Sequence, residues 1–189
     1  MLRDMKIEVI LNGYLVRDPE TKMVLASSST VTLVDDRFLI DTGSESVREE
    51  LKEKLKGKKI EAVFHTHSHH DHCGNDELFS RAEILDLKEG TLNIDGVEFY
   101  VLPTPGHTPD SLSIFMRDDG PVYVAAGDAI PTKDNFVKWV PPFINYDREE
   151  AIRSMEKITE RADVIIPGHG EPFSTGRKRP LRDDGEPTR

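Results

Sequence analysis

Five of the seven histidines of this chain fall within residues 65–74, and this cluster constrains the fold more than any other feature. The run reads His-Thr-His-Ser-His-His-Asp-His-Cys-Gly. Imidazole and carboxylate groups at this density indicate a metal site, because both are good ligands for divalent ions. A surface tract that binds metal loosely is the plain alternative. The flanks argue against it, since residues 60–64 resemble a buried strand and residues 74–76 resemble a helix start.

Only one register of the run gives a His-x-His-x-Asp-His pattern, and it selects His67, His69, Asp71 and His72. Starting at His65 instead would put a histidine where the pattern has its aspartate. The selected residues lie between a predicted strand and a predicted helix, where the active sites of α/β proteins commonly lie. We therefore expect these four side chains to carry the chemistry of the run.

This pattern resembles the signature of the metallo-β-lactamase superfamily. Three further pieces follow in the order that the superfamily has, each after a predicted strand: Gly106-His107, Gly127-Asp128 and Gly168-His169-Gly170. The resemblance runs from about residue 39 to residue 173. Within the superfamily, residues 72–79 and 167–173 resemble the group that includes metallo-β-lactamase domain-containing protein 1.

The resemblance implies an α+β fold, a four-layer αβ/βα sandwich with two packed mixed β-sheets. It also implies two divalent metal ions, of which zinc is expected and iron or manganese are alternatives. The implied metal ligands form two groups joined by one bridging carboxylate: His67, His69 and His107; Asp71, His72 and His169; and the bridging Asp128.

The residues themselves are compatible with two separate metal positions. His67 and His69 are two apart on an extended segment, so both side chains can point the same way. Asp71 and His72 are adjacent at the start of the next turn and would be aimed separately. Two of the other predicted ligands could instead have a purely structural role. His169 could be a turn residue, and Asp128 could be an ordinary aspartate at the end of a strand.

Four nearby residues lie outside the ligand pattern. We expect His65 to face the other side of the strand end, and His70 to be exposed or to contact a ligand from outside. Cys73 is expected to be a packed, inert thiol. Two roles are open for Asp41: it could orient a ligand, or it could be a plain aspartate at a helix start.

Alternation and turn residues predict many short strands and few helices, which suggests two packed sheets with helices outside. Strands are predicted at residues 6–16, 23–34, 37–40, 60–64, 82–87, 97–102, 112–116, 122–126 and 164–166. Helices are predicted at residues 44–56, 74–79 and, from a capping box, 147–161. We expect one domain over residues 1–173 and a flexible polar tail over residues 174–189.

Composition narrows the function classes. The 189-residue chain has a net charge of −10, which argues against nucleic-acid binding through a broad basic surface, although a local basic groove stays open. The single cysteine excludes an intrachain disulfide framework and fits a reducing compartment.

The sequence has neither a signal-peptide pattern nor a stretch of transmembrane length, so the expected location of the protein is cytoplasmic. The lack of glutamine and a charged fraction of 32% resemble proteins from hot environments.

These features predict a dinuclear hydrolase that uses a metal-bridging hydroxide to cleave an ester-type bond. The bond would be a phosphodiester, lactone or thioester in a small-molecule or nucleotide-like substrate. Asp71 and Asp128 are the expected catalytic residues, able to steer the hydroxide and pass a proton to the leaving group. β-Lactamase activity is not expected, because the resemblance implies that true β-lactamases generally lack the bridging aspartate.

Two alternatives come from other classes. One is a mononuclear iron persulfide dioxygenase of the same fold, which the resemblance implies would use His67, His107 and Asp128. The other is a non-catalytic metal-binding protein. A site built only of histidine and aspartate argues against this alternative, because proteins do not normally hold structural zinc with such a set of ligands. Residues 131–146 are predicted to be a loop that either closes over the site or makes a packed surface or homodimer contact. Its cationic and aromatic side chains are Lys133, Phe136, Lys138, Trp139, Phe143 and Tyr146.

Overall fold

The computed structural model describes residues 5–117 and 120–177. The strands are β1 (Ile7–Leu11), β2 (Tyr14–Arg17), β3 (Val24–Ser28), β4 (Val31–Val34), β5 (Phe38–Ile40), β6 (Ala62–Phe64), β7 (Glu83–Ile84), β8 (Gly90–Ile94), β9 (Val97–Pro103), β10 (Leu112–Arg117), β11 (Val122–Gly127), β12 (Val164–Pro167) and β13 (Phe173–Ser174). The helices are α1 (Arg48–Lys54), α2 (His70–Cys73), α3 (Lys133–Lys138) and α4 (Arg148–Thr159), with 3-10 turns at Glu45–Val47 and Asp76–Phe79.

The described strands form two large mixed sheets and a separate hairpin. The first sheet has the order β1-β4-β5-β6-β7 and the second has the order β13-β12-β11-β10-β9-β8. Each sheet combines parallel and antiparallel neighbours, with β5 parallel to β6 in the first and β11 parallel to β12 in the second. Strands β2 and β3 pair only with each other.

The two large sheets pack face to face over an apolar core. In β5, Phe38 and Ile40 point into this core while Leu39 points to the opposite face, as the alternation of a strand requires. Phe64 from the first sheet and Phe99 from the second are fully buried, with ring centroids 4.9 Å apart. This aromatic contact joins the two sheets within the apolar core.

Helices cover the outer faces of both sheets. Leu51 of α1 packs in one cluster with Leu39, and Met155 and Ile158 of α4 pack in another with Ile165. Full burial of such side chains contributes about 1.5–3 kcal/mol each. The layers of the fold therefore follow the order helix, sheet, sheet, helix, and the predicted four-layer sandwich is confirmed.

The first two predicted strands are each divided in two, which corrects the sequence-based boundaries. A Cβ on Gly13 would lie 2.5 Å from the backbone nitrogen of Thr30, so the chain can cross here only without a side chain. Ser29 donates a backbone hydrogen bond to Asp71, and Thr30 donates one to Gly168. These contacts detach β2 and β3 from the first sheet and place their hairpin beside the predicted site.

The prediction of a loop over residues 131–146 is wrong in its first part, where α3 forms. The side chain of Asn135 donates to the carbonyl of Val140 at 3.1 Å and closes the turn after the helix. Trp139 ends the helix in the left-handed conformation, with φ of 52°. The remainder of this segment runs without regular structure up to α4.

The helix predicted from residue 147 forms as α4. The side chain of Asp147 accepts a hydrogen bond from the backbone nitrogen of Glu150 at 2.9 Å, which is half of the expected capping box. Glu150 instead accepts from the hydroxyl of Tyr146, so the reciprocal half is missing. Local capping therefore fixes where α4 begins.

The last described residues continue the fold for a short distance. Ser174 lies in β13, and the hydroxyl of Thr175 donates to the carbonyl of Ala162 at 2.9 Å. Residues 178–189 lie outside the described part of the chain, so the predicted boundary between domain and tail stays a prediction. In the two described ranges, no helix is both long and apolar enough to cross a bilayer.

Candidate metal centre

The predicted ligands reach the site from segments that follow strands. His67 and His69 follow β6 on extended chain, and α2 then carries Asp71 and His72. The remaining three follow β9, β11 and β12, and they are His107, Asp128 and His169. The parallel pairing of β11 with β12 brings Asp128 and His169 to the same end of the second sheet.

All seven predicted ligands converge in the structure. Potential ligand atoms lie within 4.8 Å of one another in three groups: His67, His69 and His107; His67, His72 and Asp128; and Asp71, His72 and His169. The first and third groups have the membership that the family resemblance implies for two metal positions. The second group contains Asp128 and one histidine from each of the other two.

Asp128 lies between the two histidine groups. Its Oδ2 is 3.5 Å from Nε2 of His107. Its Oδ1 is 3.2 Å from Nε2 of His169 and 3.5 Å from Nε2 of His72. The two oxygens of one carboxylate therefore face different histidine groups.

Three of these histidines are oriented by hydrogen bonds from Nδ1. His72 donates to Oδ2 of Asp41 at 2.7 Å, His107 to the carbonyl of Ile144 at 2.7 Å, and His169 to the carbonyl of Ser28 at 2.8 Å. Such bonds fix the tautomer and leave Nε2 free to bind a metal ion. The ring orientations are thus set before any ion binds.

Asp41 is a buried orienting residue. One of its oxygens accepts from the backbone nitrogen of Thr66 and the other accepts from the Thr66 hydroxyl, both at 2.8 Å. The residue adopts φ of 57°, a left-handed conformation that aspartate tolerates better than most residues. The sequence left two roles open for Asp41, the orientation of a ligand and a place at a helix start. Its hydrogen bond with His72 supports the first role.

The charges of the site are strongly coupled. Burial lowers the pKa of His72, but Asp41 and Asp128 outweigh burial and raise that pKa to about 10. Burial raises the pKa of Asp128, yet His169 and His72 hold it well below its usual value. Burial, reinforced by His72, lowers the pKa of His67 to about 3. Burial also raises the pKa of Asp41, but His72 and His65 hold it below its usual value, so the carboxylates of Asp41 and Asp128 are both ionised at neutral pH.

The residues present fit the binding of divalent metal. Within the described ranges, Nε2 of His72 and Oδ1 of Asp128 are buried and make no hydrogen bond of good geometry, although the two atoms face each other at 3.5 Å. Buried polar atoms are rarely left unpaired, and each such atom normally has a specific explanation. The donor set of imidazole nitrogens and carboxylate oxygens is the one that zinc accepts, and it also suits iron and manganese.

Comparison with known proteins assigns the chain to a family. The model of the family described as "Metallo-beta-lactamase superfamily" matches residues 24–85 and 80–169. The chain belongs to the metallo-beta-lactamase superfamily. This confirms the resemblance seen in the sequence. Members of the superfamily are mostly metal-dependent hydrolases, so membership supports that broad class for this chain.

Individual relatives agree with the assignment to the metallo-beta-lactamase superfamily. A protein of Methanocaldococcus jannaschii named "Probable metallo-hydrolase" is 30% identical, with 89% of each chain covered. Metallo-beta-lactamase domain-containing protein 1 of Xenopus laevis is 33% identical over 88% of this chain and 80% of that protein. A metallo-beta-lactamase family protein of Thermus thermophilus shares the fold with a TM-score of 0.65 and 19% identity, covering 89% of this chain and 75% of that one.

A cavity of about 190 Å³ opens onto the metal centre of this superfamily member. Its floor contains His69, Asp71, His107, Asp128 and His169. One wall comes from the β2–β3 hairpin, through Leu15, Arg17, Val24 and Ser27. The other wall comes from Pro131, Pro142 and Ile144. The site is therefore a small pocket between two segments that lie outside the large sheets.

Sequence reasoning identified only one of these walls. The segment of residues 131–146 does reach the pocket, but through Pro131, Pro142 and Ile144, not through the lysines and aromatic residues singled out beforehand. The hairpin was not anticipated. Its one signal in the sequence is the two-residue spacing of Leu15 and Arg17, which places both on one face of a strand.

The remaining residues of the histidine run lie outside the three groups of potential ligand atoms. His65 contacts Asp76, with Nε2 3.0 Å from a carboxylate oxygen. His70 is exposed, 3.7 Å from Glu45. The thiol of Cys73 points to the carbonyl of His69 at 3.3 Å, and burial together with nearby acidic residues raises its pKa.

Proposed function

We propose that this superfamily member is a dinuclear metal-dependent hydrolase that cleaves an ester-type bond. The observation that carries the proposal is the position of Asp128, whose two carboxylate oxygens face different histidine groups. A single metal position would not need a carboxylate between two separate sets of nitrogen donors. Nε2 of His72 is buried and makes no hydrogen bond to any described residue, which supports the second position.

Each position would have its own side chains. The first ion would be held by His67, His69 and His107, the second by Asp71, His72 and His169, and both by Asp128. When bound, two such ions lower the pKa of water and polarise the bond to be cleaved. Zinc is the ion that we expect, with iron and manganese as alternatives.

The chain's own residues would prepare the reaction. Asp71 lines the pocket and its side chain is only partly buried, so its carboxylate can take a proton from the attacking water and return it to the leaving group. Asp128 is buried and would keep the two histidine groups at a fixed separation. Asp41, Ile144 and Ser28 hold three of the histidine rings in place.

A hydrolase of this kind needs no covalent nucleophile from the protein. The only thiol, Cys73, points to backbone carbonyls and lies outside the ligand groups. The pocket is small, which suits the reacting end of a substrate whose remainder extends beyond the pocket. The expected bonds are a phosphodiester, a lactone or a thioester.

The test is turnover by protein loaded with zinc, manganese or iron, assayed on one phosphodiester, one lactone and one thioester. We expect hydrolysis of at least one ester class, loss of that activity after chelation, and recovery when metal is restored. Absence of hydrolysis with every metal would contradict the proposal. One iron per chain together with oxygen consumption in the presence of a persulfide would support the dioxygenase instead.

A further inference from the structure

The pocket contains one cationic side chain that the proposed chemistry does not use. Arg17 is the only lysine or arginine among the described residues that line it. The other wall residues are apolar or uncharged, and the floor consists of histidines and carboxylates. In a chain with a net charge of −10, a cation at this place needs an explanation.

The backbone of the hairpin aims Arg17 into the pocket. Leu15 and Arg17 share a face of β2, whereas Val16 between them is 48% exposed on the other face. The register of β2 and β3 shifts between Val16 and Arg17, so that Arg17 pairs with Val24 across an irregularity. The unpaired extra residue is Leu25 of β3, so β2 keeps its alternation; such bulges are common beside active sites.

Contacts on both sides hold the guanidinium group of Arg17. Its Nη1 donates to the carbonyl of Lys22 at 3.0 Å across the hairpin. Its central carbon lies 5.4 Å from the centre of the ring of Phe143, an exposed residue between the pocket-lining Pro142 and Ile144. An arginine held in this way has lost much of its rotational freedom before it binds a ligand.

Most donor capacity of Arg17 is unused. A guanidinium group has five N–H donors, and among the described residues only one of them makes a hydrogen bond. Within the described part of the chain no carboxylate lies within 4.0 Å of Arg17, whereas Arg37 contacts both Glu61 and Asp95. Arg17 therefore presents a planar, fixed donor set to whatever enters the pocket.

We infer that Arg17 is a specificity-determining residue that binds an anionic oxygen group of the substrate, a carboxylate or a phosphate, away from the bond to be cleaved. Planar pairs of N–H donors match both groups in a bidentate manner. The inference rests on the proposed ester hydrolysis. An anion-binding role of Arg17 narrows the substrate class to esters that carry a negative charge outside the bond to be cleaved.

The test measures binding, so it does not depend on turnover. The probes are amide analogues, which resist hydrolysis: 3-acetamidobenzoate, 3-acetamidophenylphosphonate, whose phosphonate stands for a phosphate group, and the neutral 3-acetamidobenzamide. Their dissociation constants would be measured by calorimetry on metal-loaded wild type, Arg17→Gln, Arg17→Lys and Lys22→Gln. The Lys22→Gln variant removes one positive charge from the same hairpin but not from the pocket, which makes it the matched control.

We expect wild type to bind at least one anionic analogue about 10- to 100-fold more tightly than the neutral one, the range of a charge-assisted hydrogen-bonded pair. Arg17→Gln should bring this ratio close to one, Arg17→Lys should keep part of it, and Lys22→Gln should keep all of it. The two anionic analogues distinguish a carboxylate from a phosphate.

Three results would overturn the inference: a ratio near one in wild type, a wild-type ratio in Arg17→Gln, or no measurable binding of either anionic analogue. The second result would mean that the anion binds the metals and not Arg17. Failure of the proposed hydrolysis is a separate outcome, because it appears as absent turnover of simple esters and leaves the binding ratio measurable.

Discussion

Asp41 accepts a hydrogen bond from Nδ1 of His72 at 2.7 Å and another from the backbone nitrogen of Thr66 at 2.8 Å. One buried carboxylate thus connects a predicted metal ligand in α2 to the chain that leaves β6. Rotation of the His72 ring would break this connection. The orientation of the second metal position therefore depends on a residue that binds no metal itself.

Replacement of Asp41 by asparagine should weaken metal binding with little change in shape. Asparagine tolerates the left-handed backbone at this position. The variant loses the charge that holds the His72 tautomer, and we expect about 10- to 100-fold lower metal affinity, as for other partners of metal-bound histidines. Titration against a chromogenic chelator measures the affinity. Asp95→Asn is the matched control, because Asp95 is also left-handed but exposed; equal affinity in both variants would contradict the role of Asp41.

A methyl group at Gly168 should displace the bridging carboxylate. A Cβ there would lie 2.1 Å from Oδ1 of Asp128, far inside van der Waals contact. We expect Gly168→Ala to lower the free energy of unfolding by about 1–3 kcal/mol, as overpacking does, and to reduce metal content. Urea denaturation and elemental analysis measure both effects. Gly120→Ala is the control, since its Cβ would meet no atom of the described residues within 4 Å; normal metal content in Gly168→Ala would show that Asp128 is not fixed from this side.

The assignment of the histidine register can be tested with two substitutions. His65→Ala and His70→Ala should leave metal content near normal, because His65 contacts Asp76 and His70 is exposed. His65→Ala should also destabilise the fold by about 1 kcal/mol through the lost hydrogen bond. His72→Ala is the positive control for metal loss. If elemental analysis finds one equivalent missing in either of the first two variants, the register is wrong.

Removal of the Asp128 carboxylate should separate the two metal positions. We expect Asp128→Ala to abolish hydrolysis and to retain at most one metal ion per chain, since both histidine groups lose a shared oxygen donor. The control is Asp110→Ala, because Asp110 contacts Ser68 near the site but belongs to none of the ligand groups. Two tightly bound ions in Asp128→Ala would refute the bridging role.

The short, apolar strands predicted two packed sheets with helices outside, whereas the four-layer sandwich itself was implied by the family resemblance and not by periodicity. The strands predicted at residues 97–102, 112–116, 122–126 and 164–166 form as β9, β10, β11 and β12, whereas the short β13 was not predicted. The grouping of the seven ligands could not be worked out from spacing alone. It followed from the family resemblance, and the structure brings the same side chains together.

The features of the fold and the site that could not be predicted from the sequence depend on contacts between distant segments of the chain. The division of the second predicted strand is imposed at Ser29 and Thr30, whose backbone nitrogens bind carbonyls 42 and 138 residues further along, at Asp71 and Gly168. The role of Asp41 depends on the parallel pairing of β5 with β6, which brings its carboxylate to Thr66. Arg17 lines the pocket only because the β2–β3 hairpin lies beside the metal centre, and the sequence does not predict that placement.

The most direct test of the account is the metal content of wild-type protein purified without chelator. Elemental analysis should find about two divalent ions per chain, and stepwise removal should abolish ester hydrolysis. About one ion per chain, unchanged when excess metal is supplied, would contradict the dinuclear centre. It would also leave the position of Asp128 between the two histidine groups without a function.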